Sequence, residues 1–352
     1  GPAYDFSHDK LRSLIYEETS LARRRLLHRR VAETLVARSR GGLRARLDSR
    51  SSSAAQIAHH YHLAGQAPEA ADYFKLAGDQ SRALYANADA LAHFRLALAL
   101  GHPEPAALHE AIGDLQTLSG EYVGAVAAYE TAAALCDPGA LARLERKLGS
   151  VYHRRGEWES AETHFQAALA ATGEIGPPGE RARLHADWSL TAHRRGQTDR
   201  AQELARRALE LAEAAGEARA LAQAHNLLGI LATSQNNLDS ARDHLEHSLA
   251  LAETLDDAGA RVAALNNLAL AQRASGDIKR ALELTESALA VCVSQGDRHR
   301  QAALHNNLAD LLHAAGRSAA AMSHLKQAVA IFAEIGVEAG NMQPEIWKLT
   351  EW

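Results

Sequence analysis

From Gly156 onward, a loop residue followed five positions later by alanine recurs every forty residues. The loop residues are Gly156, Gly196, Asn236, Gly276 and Gly316, and their alanines are Ala161, Ala201, Ala241, Ala281 and Ala321. A fixed period of about 20–50 residues marks units that cannot bury their apolar faces alone and do so against their neighbours. The period therefore excludes one closed globule and requires a stack. Stacks of this kind hold partners, and no catalysis is expected of the chain.

Composition says what such a stack is built from. Apolar residues make up 47% of the 352, but aromatics only 5%, so the interior must be largely Ala and Leu. Both are strong helix formers, and small side chains let helices approach closely. A net charge of −5 gives no global attraction for nucleic acid. Cys136 and Cys292 lie too far apart in a stack to pair. With no secretory apolar segment and no run approaching a membrane span, a reducing cytoplasm is the expected setting. Gly1-Pro2 reads as the remnant of tag removal.

Each forty-residue unit reads as two helices. Around Gly276, Ala263-Ala264-Leu265-Asn266-Asn267-Leu268-Ala269-Leu270 carries one apolar stripe. Beyond Ser275-Gly276-Asp277, residues Ala281, Leu282, Leu284, Ala288 and Leu289 carry the second. Glycine suits the turn because a left-handed exit from a helix costs it little. Asp277 and Asp199 are placed to cap the helices that follow. The alanine five residues after the turn fits the closest crossing of the two helices.

Upstream the spacing is less regular. Gly113, Gly120, Tyr122, Ala125, Tyr129 and Ala132 form one unit, ending near Asp137-Pro138. Leu148-Gly149, Tyr152, Gly156, Trp158, Ala161, Phe165 and Ala168 form the next. This last pattern resembles a tetratricopeptide repeat, an antiparallel helix pair with small residues at its crossing. About six such units fit within residues 102–341. Residues 53–101 are more degenerate: Ala58, Tyr61, Gly65, Ala70, Phe74 and Ala77 keep one phase, and Ala90, Phe94 and Ala97 another. The later units depart from the family in having few aromatics and a longer period, which implies longer helices or loops, including Gly173 to Gly179. A short capping helix is expected within 342–352, at Pro344-Glu345-Ile346-Trp347-Lys348-Leu349. The expected fold is all-α, a right-handed superhelix (α-solenoid) of tetratricopeptide-like helix pairs.

Residues 3–50 do not follow the repeat. Phe6-Ser7-His8-Asp9, then Ile15-Tyr16-Glu17-Glu18, then Arg23-Arg24-Arg25-Leu26-Leu27-His28-Arg29-Arg30-Val31-Ala32, resembles the end of the winged-helix part of bacterial STAND-class signalling ATPases. Maltose-regulator-like and antibiotic-regulator-like activators belong to that class. The resemblance implies the ligand-sensing repeat arm of such a regulator, placed after its ATPase. Gly41-Gly42 and Ser51-Ser52-Ser53 are expected to form the linker into the repeats. The phosphate-binding Gly-x-x-x-x-Gly-Lys pattern does not occur, and none of the six lysines follows a glycine. ATP or ADP is therefore expected only in an ATPase part outside this sequence, and no cofactor in the chain.

Nineteen histidines include His59-His60-x-His62 and His244-x-x-His247. No His-Glu-x-x-His or Cys-x-x-Cys accompanies them, so no metal site is expected. His185, His225 and His305 share one repeat position, and His153, His193 and His313 another, as copied structural positions do. Residues 21–50 hold ten arginines. With Leu27, Val31 and Leu35 they read as an amphipathic helix with a solvated or docking face rather than a nucleic-acid contact.

In the repeat family the first helix of each pair lines the concave side. Carried over, the groove residues are Arg143, Arg146, His153, Arg183, His193, Arg194, Gln223, Asn226, Asn266, Asn267, Arg273, Asn306, Asn307, Asp310 and His313, with Thr233 beside them. Asn226, Asn266 and Asn306, forty apart, should form a ladder. A primary amide both donates and accepts, so the ladder serves either the backbone of an extended ligand or the pitch of the stack. The groove is expected to take a protein, a peptide or a small inducer. Alternatives to the regulator arm are the sensor of an antiviral ATPase and a peptide-binding scaffold. Neither a membrane nor direct nucleic-acid contact is expected.

Overall fold

The computed structural model describes residues 16–41, 50–173 and 176–335, and every long element among them is helical. Among the described residues, sixteen long helices follow one another: α1 (Leu21–Gly41), α2 (Arg50–Ala64), α3 (Ala67–Ala83), α4 (Asn87–Ala99), α5 (Pro105–Ser119), α6 (Tyr122–Leu135), α7 (Pro138–Arg155) and α8 (Trp158–Thr172) come first. Then come α9 (Pro178–Arg194), α10 (Thr198–Ala215), α11 (Ala218–Ser234), α12 (Leu238–Thr254), α13 (Ala258–Ala274), α14 (Ile278–Gln295), α15 (Arg298–Ala314) and α16 (Ser318–Glu334). From α1 to α4, and again from α6 to α16, consecutive helices pack on each other, and the fold is an α-solenoid. No helix among the described residues is long and apolar enough to cross a membrane.

The pairing rests on one steric rule. A side chain on the second helix fills the space opposite a small residue sixteen positions earlier on the first. A Cβ on Gly149 would lie 2.5 Å from the Phe165 ring, and one on Gly229 would lie 2.4 Å from Leu245. The same positions in the other copies hold Ser189 opposite Ala205, Ala269 opposite Thr285 and Ala309 opposite Leu325, all buried. Where the first residue is glycine the second is large, so the interhelical volume stays filled. The alanines after each turn, Ala161, Ala201, Ala241, Ala281 and Ala321, are all fully buried.

The turns form as the sequence implies. Gly156, Gly196, Gly276 and Gly316 have φ between 74° and 89°, and Asn236 takes the same left-handed conformation at 60°. Asp277 caps α14 by accepting from the Arg280 amide at 3.0 Å, and Asp257 and Asp297 cap α13 and α15 in the same way. Asp199 does not cap α10. Gln197 occupies the cap position, and Asp199 sits in the first turn, where its charge favours the helix dipole. The longer period lies in the helices, since α9 to α16 run 17 or 18 residues each.

Two compact units divide the chain, residues 1–112 and 113–352. The division falls within α5, whose Gly113 faces Tyr129. In the second unit, α7/α8, α9/α10, α11/α12, α13/α14 and α15/α16 are complete packed helix pairs, preceded by α6. In the first unit, α3 packs on both α2 and α4, with Phe74 sixteen residues beyond Ala58 and Phe94 sixteen beyond Gly78. That double use explains the two overlapping phases of residues 53–101.

Two expectations near the N-terminus are corrected. Ser51–Ser53 belong to helix α2 and are not a linker. On α1 the inward stripe is Arg24, His28 and Ala32 at four-residue spacing, while Leu26, Leu27 and Val31 are exposed. The leucines lose because α1 meets α2 through polar groups, with His28 Nδ1 2.9 Å from His60 Nδ1 and the Arg25 guanidinium 3.6 Å from a Cβ placed on Gly65. The Phe6–Asp9 phrase, Gly42 and the capping segment Pro344–Leu349 lie outside the described residues.

Replacing Gly229 by valine should force Leu245 from its site and cost about 1–3 kcal/mol, the usual range for overpacking. The urea midpoint measures it; a midpoint equal to wild type would show that the pair can part there without penalty.

Candidate functional site

The first helices of the second unit stand side by side, and their polar residues meet across repeat boundaries. Arg146 Nη1 reaches Asp187 Oδ2 at 2.5 Å, Asn267 Nδ2 donates to Asn226 Oδ1 at 3.0 Å, and Asn307 Nδ2 donates to Asn266 Oδ1 at 2.8 Å. Each partner lies forty-one residues from the other, so one geometric rung recurs, filled first by an ion pair and then by amides. The expected asparagine ladder exists, but it differs from the forty-residue register. The first asparagine of one repeat meets the second asparagine of the next, because neighbouring first helices are offset by a residue. Asn266 and Asn267 are also joined, at 3.4 Å, so the amides run on as a chain. Asn306 is outside it, and its buried side-chain oxygen has no hydrogen-bond partner.

Asp187 is the hub of the inner face. It accepts from Arg146, from Ser150 Oγ at 3.2 Å and from Gln223 Nε2 at 2.5 Å. Beside it a cavity of about 360 Å³ opens among α9, α11, α12, α13 and the start of α15. Leu190, Leu227, Ile230 and several alanines form its apolar lining, with polar groups from Asp187, Arg219, Gln223, Asn226, Asp257 and Arg300. Arg219 Nε holds Asp257 Oδ2 at 2.8 Å, and Arg300 Nη1 donates to the Gly259 carbonyl at 2.8 Å. A cavity of this size, apolar with a few convergent polar groups, has the character of a binding site.

The other expected groove residues are placed as follows. Arg143 and Arg183 line a crevice with Arg146 and Glu180, and Arg183 pairs with Glu217. His153 Nδ1 lies 2.9 Å from Thr191 Oγ1, and Arg273 pairs with Asp310 at 3.1 Å. Thr233 bonds its own helix at Gly229. His193 is half-buried, Arg194 and His313 are exposed, and none of the three lines the cavity. Of the residues named from sequence, only Gln223 and Asn226 line it. Asp187, Arg219, Asp257 and Arg300 were missed. Asp187 had a readable signal, since it shares a repeat position with Asn267 and Asn307.

Two of the phase-locked histidines, His225 and His305, join the two helices of their repeat. His225 Nδ1 meets His244 Nδ1 at 3.0 Å, and His305 meets His324 at 2.9 Å, each a first-helix to second-helix pair nineteen residues apart. In such a pair one ring donates and the other accepts, which needs the accepting ring neutral. Burial, followed by nearby positive charge, lowers His153 and His305 to about 4, and burial lowers His299 to about 3.

The tetratricopeptide repeat model matches residues 140–214, 180–254 and 260–334, more than half of the chain, and the chain belongs to that family. No curated protein sequence matches it. Among solved structures it is similar to the Rap conjugation gene regulator of plasmid pLS20 in complex with the Phr* peptide. That likeness has a TM-score of 0.63 at 14% identity, over 85% of this chain and 81% of that one. A Rap protein complexed with Competence and Sporulation Factor has a TM-score of 0.53 at 15% identity, over 76% and 78%. The STAND protein with a tetratricopeptide repeat sensor from Pyrococcus horikoshii has a TM-score of 0.52 at 12% identity, over 99% of this chain but only 55% of that one. At these identities the likeness is one of fold.

Two outcomes are expected. Changing Asn267 and Asn307 to alanine should cost about 1 kcal/mol per rung, read as a lower urea midpoint with far-ultraviolet helicity retained; no change would remove the rungs from the forces holding the stack. Stability should also be full above pH ~6.5 and fall as the pH drops toward 4, because unfolded histidines take up protons that folded His153, His299 and His305 refuse. Midpoints at pH 7 and pH 5 test this, and His153→Gln should flatten the difference.

Proposed function

We propose that the second unit is the sensing arm of a STAND-type signalling regulator and that it captures a peptide or protein segment on its inner face. The observation that carries this reading is the cavity on the first helices, with its apolar lining and its polar groups from Asp187, Gln223, Arg219 and Arg300. An apolar side chain of a bound segment would fill the middle, while its backbone meets the rim. The Rap structures, one in complex with the Phr* peptide and one with Competence and Sporulation Factor, support a segment as the ligand class. The N-terminal resemblance and the STAND structure that carries a repeat sensor support the parent. The arm acts by binding rather than by catalysis, in a cytoplasmic regulator whose nucleotide site lies in another part of the parent.

A ligand of this kind changes output only if it binds two states of the arm with different affinity. The stack suits that task, since small adjustments at each of its interfaces add along its length.

Ala263 is half-buried and lines the cavity, so Ala263→Trp should fill it without disturbing a helix crossing. A random peptide library panned on the wild-type chain should yield binders that Ala263→Trp no longer retains, with helicity and melting unchanged. Binders held equally well by both proteins would place recognition away from the inner face. Calorimetry with ATP should show no saturable binding to this chain.

A further inference from the structure

In a repeat stack each unit touches only its neighbours. The second unit breaks that rule, because its beginning touches its end. Arg154, in the last turn of α7, forms a two-pronged pair with Asp297, the cap of α15. Nη1 lies 3.0 Å from Oδ1, and Nη2 lies 3.1 Å from Oδ2. Tyr122, the first residue of α6, has its hydroxyl 2.8 Å from His299 Nδ1. Gly120 leaves room for Ile335, whose Cγ2 would stand 2.4 Å from a Cβ at that position. These partners are 143, 177 and 215 residues apart in sequence.

Comparison among the repeats shows that this contact is a departure from the pattern. Glu217 and Asp257 occupy the position of Asp297 in the two preceding copies. Each pairs with an arginine of the adjoining repeat, Arg183 and Arg219, at sites partly open to solvent. Asp297 instead pairs across the unit, and its side chain is 2% exposed. Arg194, forty residues after Arg154, is exposed and makes no such pair. One repeat position has thus been diverted from bracing neighbours to joining the two ends.

Asp297 also touches the wall of the cavity. Arg300, which lines the cavity, donates its backbone amide to Asp297 Oδ1 at 3.0 Å, and its Nε lies 3.6 Å from Oδ2. Anything in the cavity that draws the Arg300 guanidinium away from Gly259 therefore acts on the same carboxylate that grips Arg154.

We propose that the Arg154–Asp297 fork is a latch that holds the second unit closed end to end, and that occupancy of the cavity is coupled to the latch through Arg300. With the fork made, the inner face is enclosed; with it released, the first and last repeats part and the face opens. The coupling rests on the binding reading above, while the latch itself does not.

Cys292 provides a reporter already in place. It is fully buried, and its thiol faces the Asp297 carbonyl at 3.4 Å, whereas Cys136 is half-buried. The experiment follows N-ethylmaleimide labelling of both cysteines in the full chain by mass spectrometry, with no ligand present. Hydrogen exchange at residues 152–156 and 297–301 is measured alongside. In wild type Cys292 should be protected. Arg154→Gln should raise its labelling roughly tenfold or more and speed exchange in both segments, with Cys136 and helicity unchanged. Tyr122→Phe, a milder change, should act in the same direction.

Continued protection of Cys292 in Arg154→Gln would overturn the latch. So would equal gains at Cys136 with loss of helicity, since the fork would then be holding the fold rather than a gate. Arg300→Gln leaves Arg154 untouched and should also raise Cys292 labelling; no response there would overturn the coupling. Because none of these readings uses a ligand, failure of the peptide-binding proposal in Ala263→Trp is a separate result.

Discussion

The closeness of the two helices within each repeat decides the rest of the architecture. Gly149, Ser189, Gly229, Ala269 and Ala309 keep the first helix bare at the crossing, and the residues sixteen positions on fill what is left. Phe165 lies opposite a glycine, while Ala205 lies opposite a serine whose hydroxyl donates to the Ala201 carbonyl at 2.6 Å. The filling residues range from Ala205 to Phe165, and all five are buried, so each pair closes tightly on its crossing. Similar pairs stack with a common offset, and that offset sets every cross-repeat contact on the inner face.

The forty-one-residue rung follows from that offset. An ion pair, Arg146 with Asp187, and two amide pairs fill the same geometric slot, while at the intervening step the slot falls to Ala186 and Leu227. The polar rungs flank this apolar step, and the cavity opens beside it, lined by both of its residues. The candidate site is thus the place where polar bracing lapses between two braced stretches. Amides that spend a donor and an acceptor on each other have less capacity left for a ligand.

What the sequence made legible is what repeats. The turns and the buried alanines recur five times and Asn226, Asn266 and Asn306 three times, a periodic signal that a single-copy feature lacks. The α1 stripe was misread because hydrophobicity alone pointed to Leu27 and Val31, whereas the neighbouring helix presents His60 and so selects Arg24, His28 and Ala32. Asp199 lies three residues after its turn glycine, where Asp277 lies one after, so the turn after Gly196 places Gln197 at the cap position. Arg219 and Arg300 escaped because surface arginines are common in this chain and nothing local singles them out. The fork escaped for a deeper reason: partners 143 residues apart leave no trace in a pattern of period forty.

That fork also bears on how such a chain could change over generations. Copies in the middle are nearly interchangeable, so a duplicated or deleted pair would keep its crossings, its turns and its rungs. Yet any change in their number would carry Asp297 past Arg154 and leave a carboxylate stranded in the interior. A protein free to grow at every internal joint is thereby held to a fixed circumference, and its ends do the counting.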